Sequence, residues 1–202
     1  MRVRRPGGAL AADQLLVVSP GGGRVLAPHS ERIAEWLKTG GQLLAIGLDQ
    51  AELKLFLSSS IQTRDGEHIA AFVEPFEAGS PFAGISAADL HNRDPRVLPL
   101  ITGGAEVVGS GTLGRVADGG VTLCQIVPWR FDPEGPANQR RTFRRAAFLG
   151  GRVLANLGGT STTALLERFA RPVRDEGERR WLEGLYLDVP EEWDDPYRFF
   201  RW

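Results

Sequence analysis

The chain has 202 residues, 42% hydrophobic and 24% charged, the balance of an ordinary globular protein, which excludes wholesale disorder. Lys and Arg number 24 against 25 Asp and Glu, a net charge of −1. That leaves no surplus of cations for gripping a phosphate backbone, so nucleic acid is not an expected partner. The single cysteine, Cys124, excludes an internal disulfide and a multi-cysteine zinc site. No apolar run reaches the roughly 18 residues that a membrane helix needs, and Met1-Arg-Val-Arg-Arg-Pro6 is not followed by a signal-peptide core. A membrane partner is therefore not expected, and composition leaves the compartment open.

Gln14-Leu-Leu-Val-Val-Ser-Pro20 is short, continuously apolar and partly β-branched, and reads as a strand covered on both faces, as parallel sheets require. Ser30 to Thr39 reads as a helix, with Ser30 as N-cap, Glu31 at the positive end of the helix dipole, and Ile33, Trp36 and Leu37 forming one apolar stripe. Gly40-Gly41 stops it. Gln42 to Gly47 is a second buried strand, followed by a short helix from Asp49 to Phe56. Strand, helix and strand make a βαβ unit, and from it follows an α/β fold with a mainly parallel sheet flanked by helices.

Further on, His68 to Val73 reads as a strand. Residues 75–99, with Pro75, Pro81, Pro95, Pro99, Gly79 and Gly84, read as an irregular excursion. Ala105 to Gly109 and Gly114 to Ala117 pair as short strands around Gly109-Ser110-Gly111, and Val121 to Val127 is the most strand-like stretch of the second half. Asn138 to Asn156 is the longest helix. Its apolar face carries Phe143, Ala146, Ala147, Gly150, Val153, Leu154 and Leu157, while Arg140, Arg141, Arg144, Arg145 and Arg152 read as its solvated back. Gly158-Gly159 ends it.

Composition shifts near residue 171, which divides the chain into an α/β domain at 1–170 and a tail at 171–202. From Trp181 to Trp202 the tail holds seven aromatics, six acidic residues and two Arg, and so many rings are expected to pack on this domain or on a partner. Met1 to Asp13 holds no convincing strand, so the reading expects a βα unit or a whole domain upstream of Met1.

Few residues point to chemistry. Gly21-Gly22-Gly23 follows a strand and would let a ligand approach the backbone, making Gly22 and Gly23 ligand candidates. However, the next helix starts late, after Pro28-His29, and neither phosphate-binding glycine motif is present, which favours a plain turn. Gly47-Leu48-Asp49 occupies the strand-to-helix bend where α/β enzymes display a nucleophile, but Leu48 and Asp49 stand where Ser or Cys would be required. Asp49 is either a catalytic carboxylate or, more simply, a helix cap. Cys124, inside an apolar strand, reads as core filler. Asp89-Leu-His91-Asn-Arg93-Asp94 is the densest polar cluster. His91 with Asp89 or Asp94 would make an acid/base pair, and Arg93 is a ligand candidate, against a plain reading as a hydrogen-bonded loop. The three histidines, His29, His68 and His91, lack metal-ligand spacing, and no metal or cofactor is expected.

Three phrases taken together carry a resemblance: Leu15-Leu-Val-Val-Ser-Pro-Gly-Gly-Gly23, Trp36-Leu-Lys-Thr-Gly-Gly-Gln-Leu-Leu-Ala-Ile-Gly47, and Cys124-Gln-Ile-Val-Pro-Trp129 ahead of a helix ending Leu154-Ala-Asn-Leu-Gly158. Over roughly residues 14–60 and 118–158 the chain resembles the flavodoxin-like, glutamine-amidotransferase-like domain attached to large bacterial glycoside hydrolases of the β-galactosidase type. Active class I amidotransferases carry a Cys at the bend and a later His-x-Glu pair. Here the bend holds Leu48-Asp49, and the one His-x-Glu, His29-Ser-Glu31, lies upstream of it. The resemblance thus implies a non-catalytic accessory domain whose partners are other domains of a parent glycosidase or a second copy. Two alternatives stand beside it. One is a small hydrolase of sugars or esters using Asp49, Asp89 and His91; the other is a carbohydrate-binding module stacking sugars on Trp193, Tyr197 and Trp202.

Overall fold

The computed structural model describes residues 10–92, 95–116, 120–127 and 136–159. Strand β1 (Leu15–Val18), helices α1 (Gly22–Leu26) and α2 (Ser30–Lys38), and strand β2 (Gln42–Ile46) form the first βαβ unit, with β1 and β2 parallel from Leu15↔Gln42 to Val18↔Ala45. Helix α3 (Gln50–Lys54) follows, then an antiparallel ribbon of β3 (Gln62–His68) and β4 (Arg96–Gly103). Strands β5 (Glu106–Val108), β6 (Leu113–Val116) and β7 (Val121–Cys124) complete the main sheet, and α4 (Ala137–Asn156) is the long helix. The five strands lie in the order β1-β2-β7-β6-β5. The sheet is mixed, with β1, β2 and β7 parallel and β6 and β5 added antiparallel.

Side-chain alternation splits the core into two layers, as a half-turn per residue dictates. On one face Leu44, Ile46 and Cys124 meet Ala146, Leu149 and Val153 of α4 together with Phe82, Ile85 and Leu90 of the excursion. On the other, Leu43, Ala45 and Leu123 meet Ile33 and Trp36 of α2 and Leu53 of α3. Helices on both faces of a sheet with parallel central strands define the α/β class. The continuous apolar run of β2 follows from this double cover. β1 is one of the two edge strands and buries only Val18 fully.

Several expectations hold. Ile33, Trp36 and Leu37 do form the inward stripe of α2, β5 and β6 do pair around Gly109–Gly111, and α4 begins within a residue of its expected start. Others need correction. The expected N-cap Ser30 is the first residue of α2; its cap is His29, without a side-chain bond, because the 3-10 turn Ala27–His29 feeds directly into the helix. His68 to Val73 is not a strand. The strand is the polar stretch Gln62–His68, and Phe72 is 76% exposed. The excursion ends before Arg96, and Pro99 sits inside β4 opposite Asp65, tolerated because the ribbon has only two strands and so only edges. Most notably, Arg145 and Arg152 are not a solvated back. They are 6% and 1% exposed, since the excursion folds over that side of α4. The tail at 171–202 lies outside the described residues.

Candidate functional site

In sheets of this class ligands gather at the carboxyl ends of the parallel strands, because there the loops part around a strand-order reversal. In this chain those ends are Ser19 to Gly23 after β1, Gly47 to Asp49 after β2, and Gln125 to Val127 after β7.

The bend after β2 is closed. Gly47 has φ +64, and a Cβ there would stand 2.2 Å from Val127 Cγ2, so only glycine fits between β2 and the chain leaving β7. Leu48 is wholly buried among Leu53 and Phe56, and the Gln125 side-chain amide donates to its carbonyl at 3.1 Å. Asp49 is exposed and extended (φ −83, ψ 171), and its Oδ1 accepts the Glu52 N–H at 2.8 Å as the N-cap of α3. The atom at the position of a nucleophile is thus a leucine side chain turned into the core, and the carboxylate beside it holds a helix.

The glycine turn after β1 is closed from the side. A five-residue helix begins at Gly22, directly after the turn, which corrects the expectation of a late helix start. The Gly21 N–H, which an incoming anion would take, instead donates to Glu52 Oε1 at 2.6 Å. A Cβ on Gly23 would lie 2.6 Å from the Glu52 carbonyl oxygen. Gly23 therefore lets α1 approach α3, Gly22 lets the start of α1 lie against Val18 of β1, and Glu52 supplies the negative charge that the Gly21 amide faces. Asp49-x-x-Glu52 has the spacing of a capping box, but Glu52 turns away from Asp49 to close the other loop.

The polar cluster of the excursion lies against α4, on the sheet face opposite α3. Asp89 is buried, and its Oδ2 accepts from the Ser86 N–H at 2.8 Å and the Ser86 hydroxyl at 3.0 Å in a capping box of the 3-10 helix Ala87–Leu90. His91 Nδ1 stands 3.1 Å from Arg145 Nη1; a guanidinium only donates, so Nδ1 is the acceptor. His68 Nε2 donates to the Leu90 carbonyl at 2.6 Å, and the Asn92 N–H donates to the Ile69 carbonyl at 2.7 Å. These two bonds tie the end of the excursion to the end of β3. Burial is the larger influence on His68 and holds its pKa below 6.5, while the Leu90 bond pulls weakly the other way. Arg152 is stacked near the Phe148 ring, 5.6 Å from its centroid.

Asp89 and His91 are thus neighbours on one face, whereas Asp49 belongs to the other side of the sheet at the start of α3. Arg93 lies outside the described residues. Cys124 is buried and its thiol is pushed up to about 12 by burial, with a weak contact to the Ile126 carbonyl at 3.5 Å. Among the described residues no group of three or more His, Cys, Asp or Glu is placed to hold a metal ion, and no helix is long and apolar enough to cross a membrane. His68, Arg145, Arg152 and Glu52 take part in these contacts without belonging to any catalytic or binding motif in the sequence. Only for Glu52 was there a local signal, its place three residues after a capping Asp. Compared with protein-family models, with curated proteins and with solved structures, the chain matches none.

Proposed function

We propose that this chain is a non-catalytic accessory domain, of glutamine-amidotransferase-like and flavodoxin-like type, in a carbohydrate-active protein of the glycoside-hydrolase kind, where it makes interdomain or subunit contacts. The observation that carries the reading is the closed bend after β2: Leu48 is buried, Asp49 caps α3, and no Ser, Cys or Thr stands at that turn. A hydroxyl or thiol nucleophile needs an exposed attacking atom with a base within hydrogen-bond reach; this bend has no such atom, and its one exposed carboxylate, Asp49, is engaged by the Glu52 N–H. The engagement of Asp89 with Ser86 and of His91 Nδ1 with Arg145 supports the same view, since both groups are occupied in holding the excursion.

The reading is tested by offering electrophiles that trap such nucleophiles. The protein is incubated with a diazoketone analogue of glutamine and with an epoxide-bearing sugar, and its intact mass is measured. An unchanged mass is expected. An adduct mapped to residues 46–50 or 89–91 overturns the non-catalytic assignment. The contact-making part is tested by size-exclusion chromatography with light scattering, on the chain alone and mixed with the catalytic domain of a β-galactosidase-type glycoside hydrolase. A defined oligomer or a complex of fixed stoichiometry is expected, and a monomer that stays separate refutes it.

A further inference from the structure

At the β5 edge of the main sheet a groove of about 730 Å³ runs between residues 72–82 and β5. Its apolar surface is unusual for an exposed site. Phe72 is 76% exposed and Val107 45% exposed, and Phe76 and Phe82 stand in its wall with ring centroids 5.5 Å apart. Among the described residues its charged rim is mainly acidic, with Glu74, Glu77 and Glu106 against Arg115. An exposed Phe beside an unextended sheet edge marks a surface that is normally covered.

We propose that the groove is covered by the chain's own last segment, Tyr197-Arg-Phe-Phe-Arg-Trp202. This hexapeptide interleaves four aromatics with two Arg and holds no acidic residue. It therefore matches the groove in both respects, with rings for Phe72, Phe76 and Val107 and guanidiniums for the three glutamates. The acidic stretch just before it, Glu191 to Asp195, would be repelled by the same rim, which fixes which part of the tail enters. The point of departure also fits. Asn156, at the end of α4, donates from Nδ2 to the carbonyls of Pro81 at 3.1 Å and Ala83 at 2.8 Å, on either side of the groove residue Phe82. The chain thus leaves α4 beside the groove, with 37 residues between Gly159 and Tyr197. A random coil of that many residues would have a root-mean-square span of roughly 30–35 Å, so the separation in sequence is long enough for the last segment to reach the groove. This inference does not depend on whether the domain is catalytic.

The test uses the full-length chain with the photo-cross-linker p-benzoylphenylalanine in place of Phe200. An equal mixture of isotopically heavy and light protein is irradiated, and cross-links are mapped by mass spectrometry. Cross-links to residues 72–82 or 106–109, formed within one chain, are expected. Phe72→Ser should lower their yield about tenfold, with circular dichroism unchanged because Phe72 is mostly exposed. Glu77→Lys with Glu106→Lys should do the same, and adding Arg198→Glu with Arg201→Glu should restore it, which a purely structural effect of the first pair would not allow. Heavy–light cross-links, cross-links confined to other surfaces, or none at all would each overturn the proposal; the first would show that the groove serves a second copy.

Discussion

Replacing Asp49 separates its two readings. As a cap, its worth lies in one oxygen accepting the Glu52 N–H at 2.8 Å at the start of a helix only five residues long. Losing an N-cap to alanine costs about 1 kcal/mol, and asparagine keeps the accepting oxygen. Asparagine gives up only the charge at the helix start, at a few tenths of a kcal/mol on so exposed a residue. For a chain of this size 1 kcal/mol corresponds to about 2–4 °C in melting temperature. Asp49→Ala should therefore melt roughly 2–4 °C lower than the parent and Asp49→Asn within about 1 °C of it, on the same scale. Differential scanning calorimetry at neutral pH reads both, and Asp49→Ser should fall beside asparagine. Equal losses for alanine and asparagine would mean that the charge, not the capping oxygen, is what the fold uses. No loss in either would leave α3 without need of its cap, and the argument from the closed bend would fail with it.

Gly23→Ala forces a methyl to 2.6 Å from the Glu52 carbonyl, a backbone atom that cannot swing aside. Overpacking of about 1–3 kcal/mol against the ~1 kcal/mol gained in helix propensity leaves a net loss of up to about 2 kcal/mol, read by urea unfolding. His68 is held below its ordinary 6.5, so the unfolded chain binds more protons than the folded one between the two values. Its contribution is complete above pH 6.5 and is lost as pH falls through the folded value; denaturant titrations from pH 7.5 to 5 should show this decline, flattened in His68→Gln. With its thiol near 12 and fully covered, Cys124 should resist dithionitrobenzoate at pH 8 and react only on unfolding in urea, whereas rapid labelling of the native protein would contradict its burial.

What could be read from the sequence is what local pattern controls. β1, β2 and β7 are runs of apolar residues because both faces are covered, and α2 and α4 show the 3.6-residue period of a one-sided helix. β3 could not be read that way. Gln62-Thr-Arg-Asp-Gly-Glu-His68 is polar because its ribbon faces water, and its partner β4 contains Pro99. α1 is too short and too rich in glycine to carry a period. The site residues depended on contacts remote in sequence. Arg145, Arg152 and Asn156 lie along one strip of α4 that periodicity assigns to solvent, and only the fold-over of residues 81–91 turns that strip inward. Asp49 as a cap was legible; the diversion of Glu52 to Gly21, 31 residues away, was not.

The pairing of β2 with β7 has a cost in time. Ile46 lies beside Cys124, so the flank of β2 that faces β7 has no native neighbour until seventy-eight further residues have been made. At 5–20 residues per second a ribosome needs roughly 4–16 s to supply them. Throughout that interval the nascent β1-β2 unit presents an open, strongly hydrophobic margin. Synthesis is therefore a period in which this chain's unpaired strand edge is open to pairing with a wrong neighbour.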